Sequence, residues 1–415
     1  MPTRFAISRR AALGQVAVIV GGFLDRSVLS ALPRSVTTIA QKGFGSPASV
    51  LDRVGVNVRA SELSPLTLDL VADYEFRWIR TDISWRVAES SVGMYDFASV
   101  RSGLEAAATR RLKVLGILDY GHPIHTGMLA PRGPAQRGAF VRFAADAQRQ
   151  LGHLVTAWEV WNEPNHPHFW PPQPDAAEFV ALLSDVAGAL WKGDPHAIVI
   201  SGGLSTIDER FLADLIPVVE SLGRNGSLGL GLHPYRNTPP ETVTADLERV
   251  GLLRDGGKAA TSGGVPVWLT EWGYCRGGVG ITRQTEWVPR IPLVGVALDA
   301  PLTVVFELRD GGPQDVSAYT CGLVSAQGKP YPVGGRWTAI ASTAQAIAPV
   351  FRRVPRSDES WAVGSCSAAL VWPEEPTLQP SAVPVACVGN TPGCTGSVWR
   401  VAPGKDYWLQ EGKQC

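Results

Sequence analysis

The sequence has no surplus of charge of either sign: 38 Lys and Arg face 38 Asp and Glu. A chain built to dock on nucleic acid carries a basic excess or a basic stripe, and neither is present. No glycine-rich phosphate loop follows the first apolar run, which argues against a doubly wound dinucleotide-binding sheet. Long apolar runs are missing as well. The run Ala11 to Leu24 is short for a bilayer span, and nothing after it is longer and apolar. It follows Arg4, Arg9 and Arg10, and Ser8-Arg9-Arg10-Ala11-Ala12-Leu13-Gly14 resembles a twin-arginine export signal. Residues 1–35 are therefore expected to be a signal peptide, the alternatives being an ordinary secretory signal or an uncleaved anchor. Cysteine is scarce, but its count of six is even and fits export to an oxidising compartment. The expected pairs are Cys275 with Cys321, Cys387 with Cys394, and Cys366 with Cys415.

What is abundant is tryptophan, 14 residues, and proline, 32. Some of the tryptophans are needed for core packing. Others can serve as platforms, because the apolar face of a pyranose packs well on an aromatic ring.

Eight short apolar runs recur between residues 48 and 351. They are Val54–Asn57, Trp78–Asp82, Val114–Asp119, Thr156–Trp161, Ala197–Ser201, Gly229–His233, Val265–Glu271 and Thr303–Glu307. Their spacing of about 36 residues is that of strand–helix units, and eight of them predict a closed α/β architecture, the (β/α)8 TIM barrel. Between runs, Phe140, Phe143, Ala144, Ala147 and Leu151 share one helical face. Pro174-Asp175 opens a second helix that runs to Trp191. Residues 352–415 change character. They are rich in Pro, Ser and Cys, and β-prone segments at 368–372, 383–388 and 397–401 predict a small all-β appendage stapled by disulfides.

Barrels of this kind carry their chemistry at the C-terminal ends of the strands. Those ends read Arg80-Thr81-Asp82, Asp119-Tyr120 with His122, Asn162-Glu163, His233-Pro234-Tyr235, Glu271-Trp272, and Glu307 followed by Asp310. Such a mouth suits a neutral polyhydroxy ligand. Cleaving a glycosidic bond needs two carboxyl groups flanking it. Glu163 ends the fourth run and Glu271 the seventh, 108 residues or about three units apart. Strand alternation puts Glu159, Trp161 and Glu163 on one face, and Val267, Leu269 and Glu271 on one face, so both carboxylates are expected to point inward.

Trp158 through Asn165, containing Trp-Asn-Glu-Pro, and Leu269-Thr270-Glu271-Trp272-Gly273 resemble the clan-A glycoside hydrolases. The segments 78–85, 93–97, 117–120, 201–204 and 233–235 resemble bacterial proteins of glycoside hydrolase family 39, some described as cellulase-like. The resemblance spans roughly residues 50 to 350. It implies an exported retaining glycosidase that cleaves a polysaccharide or oligosaccharide by double displacement. Glu271 would be the nucleophile, and Glu163, with a raised pKa, the acid/base. Asn162 matches the position that bonds the sugar 2-hydroxyl, Tyr235 one that orients the nucleophile, and Arg80 one held near it.

Arg80 can equally satisfy Glu159. Tyr120, His122, His233 and Trp272 are candidate sugar contacts or supports. In the loop after Glu163, Trp170 is a candidate leaving-group platform. His166 and His168 have no matched partner at metal-ligand spacing, so no metal or other cofactor is expected. Glu307 and Asp310 either line the site or anchor the last loop. They stand where clan-A barrels often place a tryptophan, which leaves the reactive sugar open. An exo-acting β-xylosidase-like enzyme, a transglycosylase, and a catalytically silent carbohydrate-binding barrel are the alternatives.

Overall fold

Eight parallel strands close into a barrel, each followed by a helix. The computed structural model describes residues 50–223, 227–254, 257–311 and 320–344, together with strands 360–364, 368–373 and 408–411. The barrel strands are β1 (Val54–Asn57), β2 (Trp78–Ser84), β3 (Lys113–Asp119), β4 (Ala157–Asn162), β5 (Ile198–Ser205), β6 (Ser227–His233), β7 (Val267–Trp272) and β8 (Thr303–Val305). Each pairs with the next, and β1 also pairs with β8 to close the ring. The helices are α1 (Pro65–Asp73), α2 (Ala98–Thr109), α3 (Gly133–Leu151), α4 (Ala176–Gly193), α5 (Glu209–Gly223), α6 (Val243–Arg249), α7 (Arg290–Ala297) and α8 (Pro332–Ala344). The (β/α)8 expectation is met, with every predicted run inside or overlapping its strand.

Local chemistry starts several of these helices. Ser64 precedes Pro65, and its hydroxyl accepts from the Thr67 amide at 3.2 Å. Asp175 does the same for Glu178 at 3.0 Å, opening α4 where the sequence pattern put it. The predicted face of α3, Phe140 through Leu151, is buried.

Two cores follow from strand alternation. Outward side chains such as Val56, Ile79, Leu118, Val160, Leu230 and Leu269 pack under the helices. Inward ones, Trp78, Leu115, Ala157, Ile198, Ile200, Trp268, Leu302 and Val304, fill the barrel. Bulk on one strand is matched by its absence on another: a Cβ on Gly229 would lie 2.4 Å from the Trp268 indole. This apolar plug is the floor on which the polar mouth is built.

A disulfide joins Cys275 to Cys321 as expected and ties the loop after β7 to the loop after β8. Cys366, Cys387, Cys394 and Cys415 lie outside the described residues, as do the expected signal segment and the β-prone stretches 383–388 and 397–401. Ser360–Gly364, Ala368–Pro373 and Trp408–Glu411 form a three-stranded antiparallel sheet. The first and last of these strands were not foreseen. Among the described residues no helix is long and apolar enough to cross a membrane.

Candidate active site

Arg80 is the hub of the barrel mouth. It is buried on β2 and donates to Glu159 at 2.7 Å, Glu271 at 2.6 Å, the Asn162 side-chain oxygen at 2.9 Å and that of Asn57 at 3.3 Å. The two readings of Arg80, partner of Glu159 and neighbour of Glu271, are thus both realised. Burial opposes its charge, but Glu159 and Glu271 outweigh that and raise its pKa further. Burial would likewise raise Glu159. The Arg80 charge and the His233 contacts win instead and hold Glu159 down at about 2. Thr270 and the Gly203 amide donate to the same carboxylate at 2.8 and 3.0 Å. A buried charge so completely satisfied is a fixed part of the scaffold.

Above this layer stand the two glutamates. The Tyr235 hydroxyl donates to Glu271 at 2.6 Å, on the oxygen that Arg80 does not hold. Burial and the Glu271 charge push the Tyr235 phenol well above its ordinary value, so it stays a donor. Glu163 meets His233 Nδ1 at 3.0 Å. Oxygen atoms of Glu163 and Glu271 and a ring nitrogen of His233 all lie within 4.8 Å of one another.

The inward aim of the two glutamates does not come from alternation, and that expectation is corrected. Trp161 has φ 71° and Glu163 φ 43°, both in the left-handed region that non-glycine residues avoid. Trp161 therefore turns outward onto Phe140 and Trp170, and Asn162 and Glu163 both face the mouth. On β7 it is Trp268 and Thr270 that face inward, with Val267 and Leu269 outward. The pairing of β7 with β8 shifts register between Leu269 and Trp272, and this irregularity brings Glu271 in beside Thr270.

The expected raised pKa of Glu163 is also corrected. Burial raises it, but the bond and charge of His233 dominate and hold it below the usual range. His233 carries the proton. Burial opposes its charge, while Glu271 and the bonds to Glu159 and Glu163 lift it to about 9.

The remaining candidates divide. Tyr120 lines a hollow of about 230 Å³ with Ser84, Arg86, Trp161, His168 and Phe169. Trp170 is not a platform at its surface. It is fully buried between Trp161 and Phe179, and the half-buried Phe169 lines the hollow in its stead. Trp272 is fully buried under the Arg236 guanidinium. His122 is buried too. One ring nitrogen contacts the Glu89 carbonyl at 2.7 Å and the other accepts from the Ile124 amide, so it braces a turn. Asp310 anchors the last loop through Arg276, Tyr331 and the Gly322 amide. Glu307 is buried against Arg59 at 2.5 Å, and burial pushes it up to about 8 despite that partner. Asn57 and Arg59 escaped the sequence reading. A polar residue closing the first apolar run was the available signal for Asn57, and none marked Arg59.

No protein-family model matches the chain. The fold is shared with solved glycoside hydrolases. A family 39 enzyme from Bacteroides cellulosilyticus is 20% identical, with TM-score 0.65 over 86% of this chain and 78% of that one. A family 39 enzyme from Xanthomonas axonopodis pv. citri is 18% identical, with TM-score 0.58 over 86% and 77%. A monomeric β-xylosidase from Caulobacter crescentus is 18% identical, with TM-score 0.56 over 81% and 76%.

Proposed function

We propose that the protein is a retaining glycoside hydrolase acting on an oligosaccharide or polysaccharide, with Glu271 as nucleophile and Glu163 as acid/base. The observation that carries this reading is the approach of the two carboxylates within 4.8 Å. Retaining enzymes hold their carboxyls about 5–5.5 Å apart, and inverting ones about 6.5–9.5 Å to admit a water. Glu271 is held by Arg80 and Tyr235 with one oxygen on each. It attacks the anomeric carbon while the glycosidic bond breaks, and Glu163 delivers a proton to the leaving oxygen. That proton is the one His233 carries, passed to Glu163 across their 3.0 Å contact as the leaving oxygen takes it up. In the second step Glu163 takes a proton from water, which displaces the sugar from Glu271. Asn162 accepts Arg80 on its oxygen, leaving its NH2 for the sugar 2-hydroxyl, where a bond that strengthens in the transition state aids catalysis.

The test is covalent trapping. An activated 2-fluoro glycoside of a sugar the enzyme turns over should label the peptide containing Glu271, read by mass spectrometry. Glu271→Gln should lose about 10⁴-fold or more in kcat. Equal turnover by wild type and Glu271→Gln would sink the reading.

The proposal extends to location outside the cytoplasm, supported by the Cys275–Cys321 disulfide. Residues 1–35 fused to a reporter should direct export, and Arg9→Lys with Arg10→Lys should abolish it if the route is twin-arginine.

A further inference from the structure

Strand β2 presents Arg80, Asp82 and Ser84 on its inward face. Arg80 holds the Glu271 carboxylate, and Ser84 lines the 230 Å³ hollow. Asp82 lies between them along the strand and is half-buried. On the neighbouring strand, Asp119 shares the inward face of Leu115 and is fully buried. Neither of its oxygens accepts a hydrogen bond from a protein donor. Its close neighbour is the Asp82 carboxyl, and burial, with Asp82 next, raises Asp119 well above the ordinary range. A buried carboxyl left without a donor is costly, and such groups stand where a functional task retains them.

We propose that Asp82, backed by Asp119, and the hollow beyond it form a second sugar subsite that binds the pyranose unit next to the reactive one. Asp119 keeps the proton and donates it to one Asp82 oxygen. The other Asp82 oxygen then accepts hydroxyls of the bound unit. Carboxylates are strong acceptors for such donors. Beyond Asp82 the wall is aromatic. The Tyr120 and Phe169 rings lie 20° from parallel, with the Trp161 ring edge-on to Tyr120 at 5.8 Å. Such rings accept the apolar face of a sugar. Asp82 is the ligand contact in this arrangement, and Asp119 is a positioning residue acting through it.

The subsite rests on the glycosidase reading, so its test is separated from that one. Xylotriose, mannotriose and cellotriose are offered to wild type, Asp82→Ala, Asp119→Leu and Asp119→Asn, all with circular dichroism spectra recorded. Hydrolysis is followed by reducing-end release. Binding is followed by tryptophan fluorescence in the Glu271→Gln background. Asp82→Ala should raise KM and Kd at least tenfold for the trisaccharide that wild type cleaves, with kcat changed less than threefold. Asp119→Leu should do the same, and Asp119→Asn, which keeps a donor, should recover to within threefold of wild type. An unchanged KM in Asp82→Ala overturns the subsite, even if Asp119→Leu fails to fold. So does a loss confined to kcat. If no trisaccharide binds or is cleaved while a fluoro glycoside still labels Glu271, the subsite falls and the glycosidase reading stands.

Discussion

Tyr235 donates to Oε1 of Glu271 at 2.6 Å, and this leaves Oε2 to Arg80. Each oxygen of Glu271, the proposed nucleophile, has one fixed partner, so its plane is set before any sugar arrives. Tyr235→Phe removes one of the two. A hydrogen bond to a charged group contributes about 1.5–3 kcal/mol, so kcat should fall roughly 10- to 100-fold. Steady-state kinetics on any cleaved substrate measure this, and an unchanged kcat would show that Arg80 alone suffices.

Gly203 lets β5 pass close beside His233. A Cβ there would stand 2.0 Å from His233 Nε2 and 2.7 Å from the Thr270 hydroxyl. His233 cannot retreat, because it is fully buried and bonded to Glu163 on its other side. Gly203→Ala should therefore destabilise the fold by about 1–3 kcal/mol. It should also depress activity beyond what unfolding explains. Urea denaturation and the activity of the folded fraction separate the two effects.

His233 gives the stability a pH signature. Its pKa is raised from 6.5 to about 9 on folding. The stabilisation is complete below pH 6.5 and is lost as pH rises through about 9, a span worth roughly 3 kcal/mol. The melting temperature should fall across this window in wild type and fall less in His233→Gln. Parallel slopes in the two proteins would contradict the assignment.

The Cys275–Cys321 link closes a loop of sequence separation 46 that holds β8 alone among the barrel strands. Converting both cysteines to serine should cost about 2–4 kcal/mol. Reductant should lower the melting temperature of wild type and leave the double variant unmoved.

Much of this architecture was legible in the sequence. The barrel shows because the strands are apolar on both faces below the mouth, so eight runs stand out from their amphipathic helices. Glu163 and Glu271 show because they sit in short motifs at strand ends. What did not show depends on backbone path or on partners far along the chain. Trp170 read as a platform and Trp272 as a sugar contact or support, yet both rings are fully buried. His122 read as a sugar contact, but the Ile124 amide and the Glu89 carbonyl claim its nitrogens. The depressed pKa of Glu163 depends on His233, 70 residues away on another strand. Asn57 was overlooked because a single polar residue after three apolar ones looks like the mere end of a strand.

The left-handed turn at Trp161 and the register shift before Trp272 make the spelling of these strands a matter of counting. Deleting Thr270 alone would keep every glutamate in the protein. It would also draw Glu271 down into the inward place that Thr270 now holds, away from Tyr235, and bring the Trp272 indole to the place of Glu271 in the cleft. Single-residue insertions and deletions at these two strand ends should therefore be as damaging as replacing the glutamates themselves. Conservative exchanges at the neighbouring outward positions should be far better tolerated.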